Sequence, residues 1–216
     1  MNRLTVLACA LLLAACGGST GGSGSDSQPK QETSAQSVAS NSSDFPGMQK
    51  CPESGSWDNY LKAEQAKDPT QFQSDKSDWD SLKAAGANDS YVGVYADDSS
   101  HCGNFGSDQA TGKIVDVYAV RFKDSSSASA NFKTNSKDFH LSDSDLQSIK
   151  SAGGKVDQGA TTGLGDNSVA VSLAIAGTSF YIAFWQNRQF EVAIIAYNLA
   201  VADGQAASKK INDRIH

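Results

Sequence analysis

No hydrophobic run in this sequence is long enough to cross a bilayer as a helix. The apolar stretch Leu4–Ala15 has about twelve residues, where a span needs ~20. Histidine is nearly absent, with three in 216 residues, which leaves little general-base capacity near neutral pH. His140 falls in an expected loop and His216 is the last residue, and neither has a local Ser or Cys partner for a catalytic triad. The sequence holds no C-x-x-C, P-loop, dinucleotide glycine fingerprint, H-E-x-x-H or EF-hand loop. Redox, nucleotide, zinc-protease and calcium chemistry therefore lack their usual sequence signatures. Positive charge is also in the minority, with 18 Lys and Arg against 24 Asp and Glu. Such a surface repels phosphates and anionic lipid heads, so nucleic acid is not an expected partner.

What is present begins at the N-terminus. Arg3, the apolar run Leu4–Ala15 and its small-residue end have the layout of a secretory signal. The ending Leu13-Ala14-Ala15-Cys16-Gly17 resembles the lipobox of bacterial lipoproteins. The resemblance implies that residues 1–15 are a signal peptide, cut just before Cys16, and that the Cys16 thiol is diacylated. The protein would then sit at the cell envelope, with the membrane as partner through the lipid anchor and the folded domain extracytoplasmic. Each buried CH₂ contributes ~0.8 kcal/mol to such anchoring. Gly17 stands where an Asp would resemble an inner-membrane retention signal, so outer-membrane sorting is permitted.

Cleavage removes Arg3 and Cys9, so the mature chain would carry 17 basic and 24 acidic side chains, a charge of −7. With Cys16 acylated, Cys51 and Cys102 remain as an even pair in an exported protein, which predicts one disulfide. On chain-entropy grounds that closure stabilises the fold by ~4 kcal/mol. Residues 16–44 comprise the lipidated Cys and a Gly/Ser-rich stretch almost without large apolar side chains. They are expected to form a flexible tether with a reach of ~30 Å. Gly17-Ser19-Gly21 matches the G-x-S-x-G pattern of serine hydrolases, but that motif works only on a strained strand-to-helix turn, so it is set aside here.

Residues 45–216 read as one globular domain of the α+β class. Ser56 caps a helix through Ala66, and Pro69 is expected to block its continuation. A second helix is expected over Asp78–Ala85, capped by Ser77 and stopped by Gly86. Strands are expected over Ser90–Ala96 and Lys113–Phe122, separated by a polar loop that Cys102 pins. Asp124 caps a helix burying Ala128 and Phe132, and Ser142 with Asp145 opens another.

The clearest signal is a C-terminal three-stranded antiparallel meander over residues 167–198, with helices packed on the sheet. Val169, Val171, Leu173 and Ile175 alternate with small residues. A turn at Gly177-Thr178 would pair Ile175 with Phe180, and a three-residue loop at Asn187-Arg188-Gln189 would keep Phe190, Val192 and Ile194 on the same face. A closing helix over about Gly204–Ile215, capped by Asp203, would cover that face. The opposite face would then carry Tyr181, Trp185, Ile195 and Tyr197, with little charge for a solvated sheet. These four are the candidate ligand or partner surface, the competing expectation being that an element of the same domain covers them.

Gly163-Leu164-Gly165-Asp166, the hairpins that follow, the Asn187-Arg188 turn and the closing helix resemble the extracytoplasmic sensor-like domains of actinobacterial lipoproteins and mycobacterial Ser/Thr kinases. That resemblance spans about residues 90–215 and implies an antiparallel sheet with packed helices and disulfide support. Those domains often carry two disulfides; this chain can form one.

Other candidate chemistry has simpler explanations. Asp97, Asp98, His101 and Cys102 include metal-ligand types, but a Cys in a disulfide is not a thiolate ligand. Asp78, Asp80, Asp143 and Asp145 are expected in first helical turns, where the helix dipole favours them. No catalytic residue, metal or cofactor is implied. The sequence reading is a non-catalytic lipoprotein whose domain binds a small ligand or an envelope protein. The alternatives are an envelope hydrolase using paired carboxylates, or a structural spacer.

Overall fold

The computed structural model describes residues 33–103, 111–135, 143–175 and 177–216. The expectations for the signal, Cys16, His140 and the Ser142 cap lie outside these residues. Among the described residues the fold is α+β, a seven-stranded antiparallel sheet with helices on both faces.

The strands are β1 (Gln49–Lys50), β2 (Ala87–Ala96), β3 (Ile114–Phe122), β4 (Lys155–Gln158), β5 (Ser168–Ile175), β6 (Thr178–Asn187) and β7 (Phe190–Tyr197). Their order across the sheet is β1-β2-β3-β7-β6-β5-β4, with β5, β6 and β7 forming the expected meander. The helices are α1 (Ala35–Ala39), α2 (Trp57–Lys67), α3 (Pro69–Ala84), α4 (Ser125–Asn135), α5 (Asp143–Ser151) and α6 (Val201–Asp213). No described helix is long and apolar enough to cross a membrane.

The first sheet face is buried under α1 and α6. Tyr95, Val115, Val117, Trp185, Val192 and Ile194 pack there against Val38, Ala39, Ala207 and Ile211. This corrects the domain boundary: the folded part begins near residue 34, not at 45. Ser34 caps α1 by accepting from the Ser37 amide, and Ala35, Val38 and Ala39 are buried. Gly93 permits the approach, because a Cβ there would lie 2.6 Å from the Ala39 carbonyl oxygen. The Tyr95 hydroxyl donates to that same oxygen at 2.8 Å. Arg214, just past α6, holds the buried Asp44 carboxylate with both terminal nitrogens, at 2.9 and 2.6 Å. The two ends of the described chain are thereby joined.

The second face carries α2, α3 and α4. Trp57, Leu61 and Trp79 pack on Val92, Val94, Val120 and Phe122, and Phe132 stacks on Phe184 with ring centroids 4.8 Å apart. Pro69 does not merely end α2. It is the first residue of α3, where its missing N–H is no loss, and Asp68 caps that helix by accepting from Thr70 and Gln71. The expected start at Asp78 is thus nine residues late, and Asp78 and Asp80 lie inside α3 rather than in a first turn. Asp80 is paired with Lys76 and Lys83. Cys51 and Cys102 form the expected disulfide, linking the segment after β1 to the loop after β2.

Candidate functional site

The four residues expected to share one face do not share it. Asn187 pairs directly with Phe190, leaving a two-residue turn, Arg188-Gln189, in place of the expected three-residue loop. Arg188 takes φ +52°, a left-handed conformation suited to so tight a hairpin. One residue fewer in the loop turns every side chain of β7 to the other face. Tyr181 and Trp185 therefore join Phe190, Val192 and Ile194 on the first face, whereas Ile195 and Tyr197 join Phe180 and Ile182 on the second. The preceding hairpin is also displaced by two residues, since Ile175 pairs with Thr178. An even shift leaves its faces unchanged.

Tyr181 and Trp185 are core residues, at 2 % and 0 % exposure. The closing helix covers them together with Phe190, Val192 and Ile194, the β7 residues it is expected to cover. It begins at Val201, and its Gly204 sits so close that a Cβ would lie 2.5 Å from the Tyr181 ring. The Tyr181 hydroxyl meets Ser208 Oγ at 3.1 Å. These two residues are corrected from binding surface to packing.

The second face is different in character. Reading the register across the sheet gives one row of neighbours: Val94, Asp116, Ile195, Ile182, Val171 and Val156. Ile195, Ile182 and Val171 are half-buried. The row contains a single carboxylate, Asp116, which is 1 % exposed. Its Oδ2 accepts the Tyr118 hydroxyl at 3.4 Å, and its Oδ1 has no hydrogen-bond partner. Burial pushes this carboxyl up to about 8, with negative charge on Glu53, Glu64 and Asp75 adding to the shift and the Tyr118 bond opposing it.

Aromatic rings from α2 lie over this carboxylate's neighbour. Trp57 is 5.6 Å from the Tyr118 ring, and Tyr60 meets it edge-on at 6.2 Å. Burial raises the Tyr60 and Tyr118 hydroxyls above their ordinary values, and the charge of Asp116 adds to both. Burial also raises Glu64 and Asp75. Glu53 has one oxygen on Lys67 Nζ at 2.7 Å and the other, Oε2, buried without a partner. Sequence reasoning had the strand but missed Asp116. The available signal was a lone acid among Ile114, Tyr118, Val120 and Phe122 at every second position.

A second buried acid, Glu191 on β7, is pushed up to about 8 by burial, and the Asn131 amide donates to both of its oxygens at 2.9 Å. Glu191 pairs with Val120, four residues along β3 from Asp116, a separation of about 13 Å. The loop after β2 shows no metal arrangement among its described residues. Asp97 Oδ1 pairs with His101 Nδ1 at 2.7 Å, and Asp98 accepts from Ser100. Cys51, Glu53 and Cys102 are the described residues that converge like metal ligands, but both thiols are spent in the disulfide. An open groove of about 470 Å³ between α2 and α3 is lined by Leu61, Phe72 and Trp79, with Lys and Asp of both signs at its rim.

No family model and no curated protein matches this sequence. Among solved structures, the chain is similar to the extracellular domain of PknH from Mycobacterium tuberculosis, with 14 % identity and a TM-score of 0.46, over 86 % of this chain and 97 % of that one.

Proposed function

We propose that this chain is a non-catalytic binding domain, held at the cell envelope by lipid on Cys16, that takes a small ligand or an envelope protein on the second sheet face. The observation that carries the reading is the row through Asp116. Half-buried Ile195, Ile182 and Val171 adjoin a buried carboxylate whose Oδ1 lacks a partner. Apolar surface beside a few fixed polar groups is the usual make-up of a recognition site. The Cys51–Cys102 disulfide accords with an oxidising, extracytoplasmic compartment, and the lipobox-like ending at Cys16 supplies the anchor. Purification under native conditions followed by native mass spectrometry tests the placement. A species retained by the natural chain should be lost when Ile182 and Ile195 are both replaced by Lys, and kept when the exposed Ala206 is. Retention by the double variant would contradict it.

The hydrolase reading has one observation in its favour, the raised carboxyls of Asp116, Glu64 and Asp75, since a general acid needs such a shift. Asp116 and Glu191 do not suit it, because a glycoside-cleaving pair stands ~5–9.5 Å apart. Release of reducing ends from cell-wall glycan, abolished by Asp116→Asn, would favour this reading over binding.

A further inference from the structure

We propose that Asp116 is the counter-ion for a primary alkylammonium group, whose apolar body lies along Ile195, Ile182 and Val171. The inference rests on the reading of this face as a binding surface and names the ligand's chemistry.

A carboxylate offers about four acceptor sites. Asp116 uses one, at the long distance of 3.4 Å to Tyr118. An unpaired buried acceptor is costly, and a buried charge more so. Nothing among the described residues relieves it, and Glu53 Oε2 nearby is orphaned as well. The charges facing Asp116 are of its own sign: Glu53 from the segment after β1, Glu64 from α2 and Asp75 from α3. Among the described residues, neither a positive charge nor an N–H donor is paired with Asp116.

A primary ammonium supplies both. Tyr118, with Tyr60 and Trp57 against it, presents aromatic surface, which attracts a cation through its ring quadrupole. A trimethylammonium would use the rings but leave Oδ1 unpaired. A divalent metal would need several converging oxygens, and Asp116 is absent from the converging group of described residues. The neighbouring row sets the rest of the ligand. From β3 to β5 are three strand spacings, about 14 Å, and the side chains along them are aliphatic. An amine with an extended aliphatic body fits this pattern of charge and surface.

Binding must also be linked to protons. Asp116, raised to about 8, holds its proton below that pH, and the ion pair requires its loss. Affinity for an ammonium should therefore rise about tenfold per pH unit from pH 6 to 8 and then level off, until the amine itself loses its proton near pH ~10.

The test uses the full mature chain carrying Cys16→Ser, so that it stays in solution, with hexylammonium, hexyltrimethylammonium and 1-hexanol as probes. Methyl resonances of Ile182 and Ile195 report occupancy. Hexylammonium should bind at least tenfold more tightly than the other two, with the pH dependence above. Asp116→Asn should abolish both the preference and the pH dependence. Ile195→Lys, which places an ammonium on the strand partner of Asp116, is a second variant and should block hexylammonium. Equal binding of hexylammonium and hexanol, unaltered by Asp116→Asn, would overturn the ammonium assignment and leave the face as a binding surface. Binding of hexylammonium without response of the Ile182 and Ile195 methyls would overturn both.

Discussion

At the scale of residues, two buried acids on the second sheet face make the stability of this domain depend on pH. Glu191 and Asp116 are both raised to about 8, above the unfolded values near ~4. A carboxyl whose folded pKa is raised binds its proton more tightly when folded. Its stabilising contribution is therefore complete below the unfolded pKa and is lost as pH climbs toward the folded one. Resistance to urea should fall between about pH 5 and 8. Glu191→Gln, which keeps the Asn131 contact without a charge, should flatten that fall. A slope equal to that of the natural chain would contradict the assignment. Asp44 has a side-chain exposure of 2 % and a two-pronged partner, so Asp44→Ala strands the guanidinium and should cost about 3 kcal/mol in chemical denaturation. Removing both partners should cost less than the sum of the single losses.

At the scale of elements, the parity of one turn decides which aromatic residues are core. Alternation in β5 and β6 made the meander legible, because a strand with one buried face writes its period into the sequence. Parity of the turn was not legible. Asn187-Arg188-Gln189 has no Gly to mark a left-handed position, and Arg188 adopts one regardless. The expected three-residue loop sets Ile195 and Tyr197 beside Tyr181 and Trp185, whereas the two-residue turn sets them on the opposite face. The first helix was hidden by composition: Ala-Gln-Ser-Val-Ala looks like tether, yet three small side chains suffice where Gly93 lets the backbone close in. Strand β4, Lys155–Gln158, has one large apolar residue and gives no period to read. Close packing of α6 offers a test at this scale. Gly204→Ala puts a methyl 2.5 Å from the Tyr181 ring, and overpacking of this kind costs about 1–3 kcal/mol. Hydrogen exchange should quicken at Ala207 and Ser208 on α6 before it does on β3. Uniform quickening, or none, would contradict the packing described.

At the scale of the whole molecule, the two sheet faces differ in how they are covered. The first is closed by α1 and α6 and fastened by Asp44 and Arg214. The second is covered by α2 and α3 over β2 and β3, and by α4 around Phe184, and it includes the half-buried row from Ile195 to Val171. The proposed recognition belongs to the second face alone. Isoleucine methyl spectra of the chain test this directly, recorded while fractions of an envelope extract are added. Ile182 and Ile195 lie on the second face, and Ile194 and Ile211 lie in the core between the first face and α6. The account predicts that an active fraction moves the first pair and leaves the second in place. Shifts confined to Ile194 and Ile211 would contradict it.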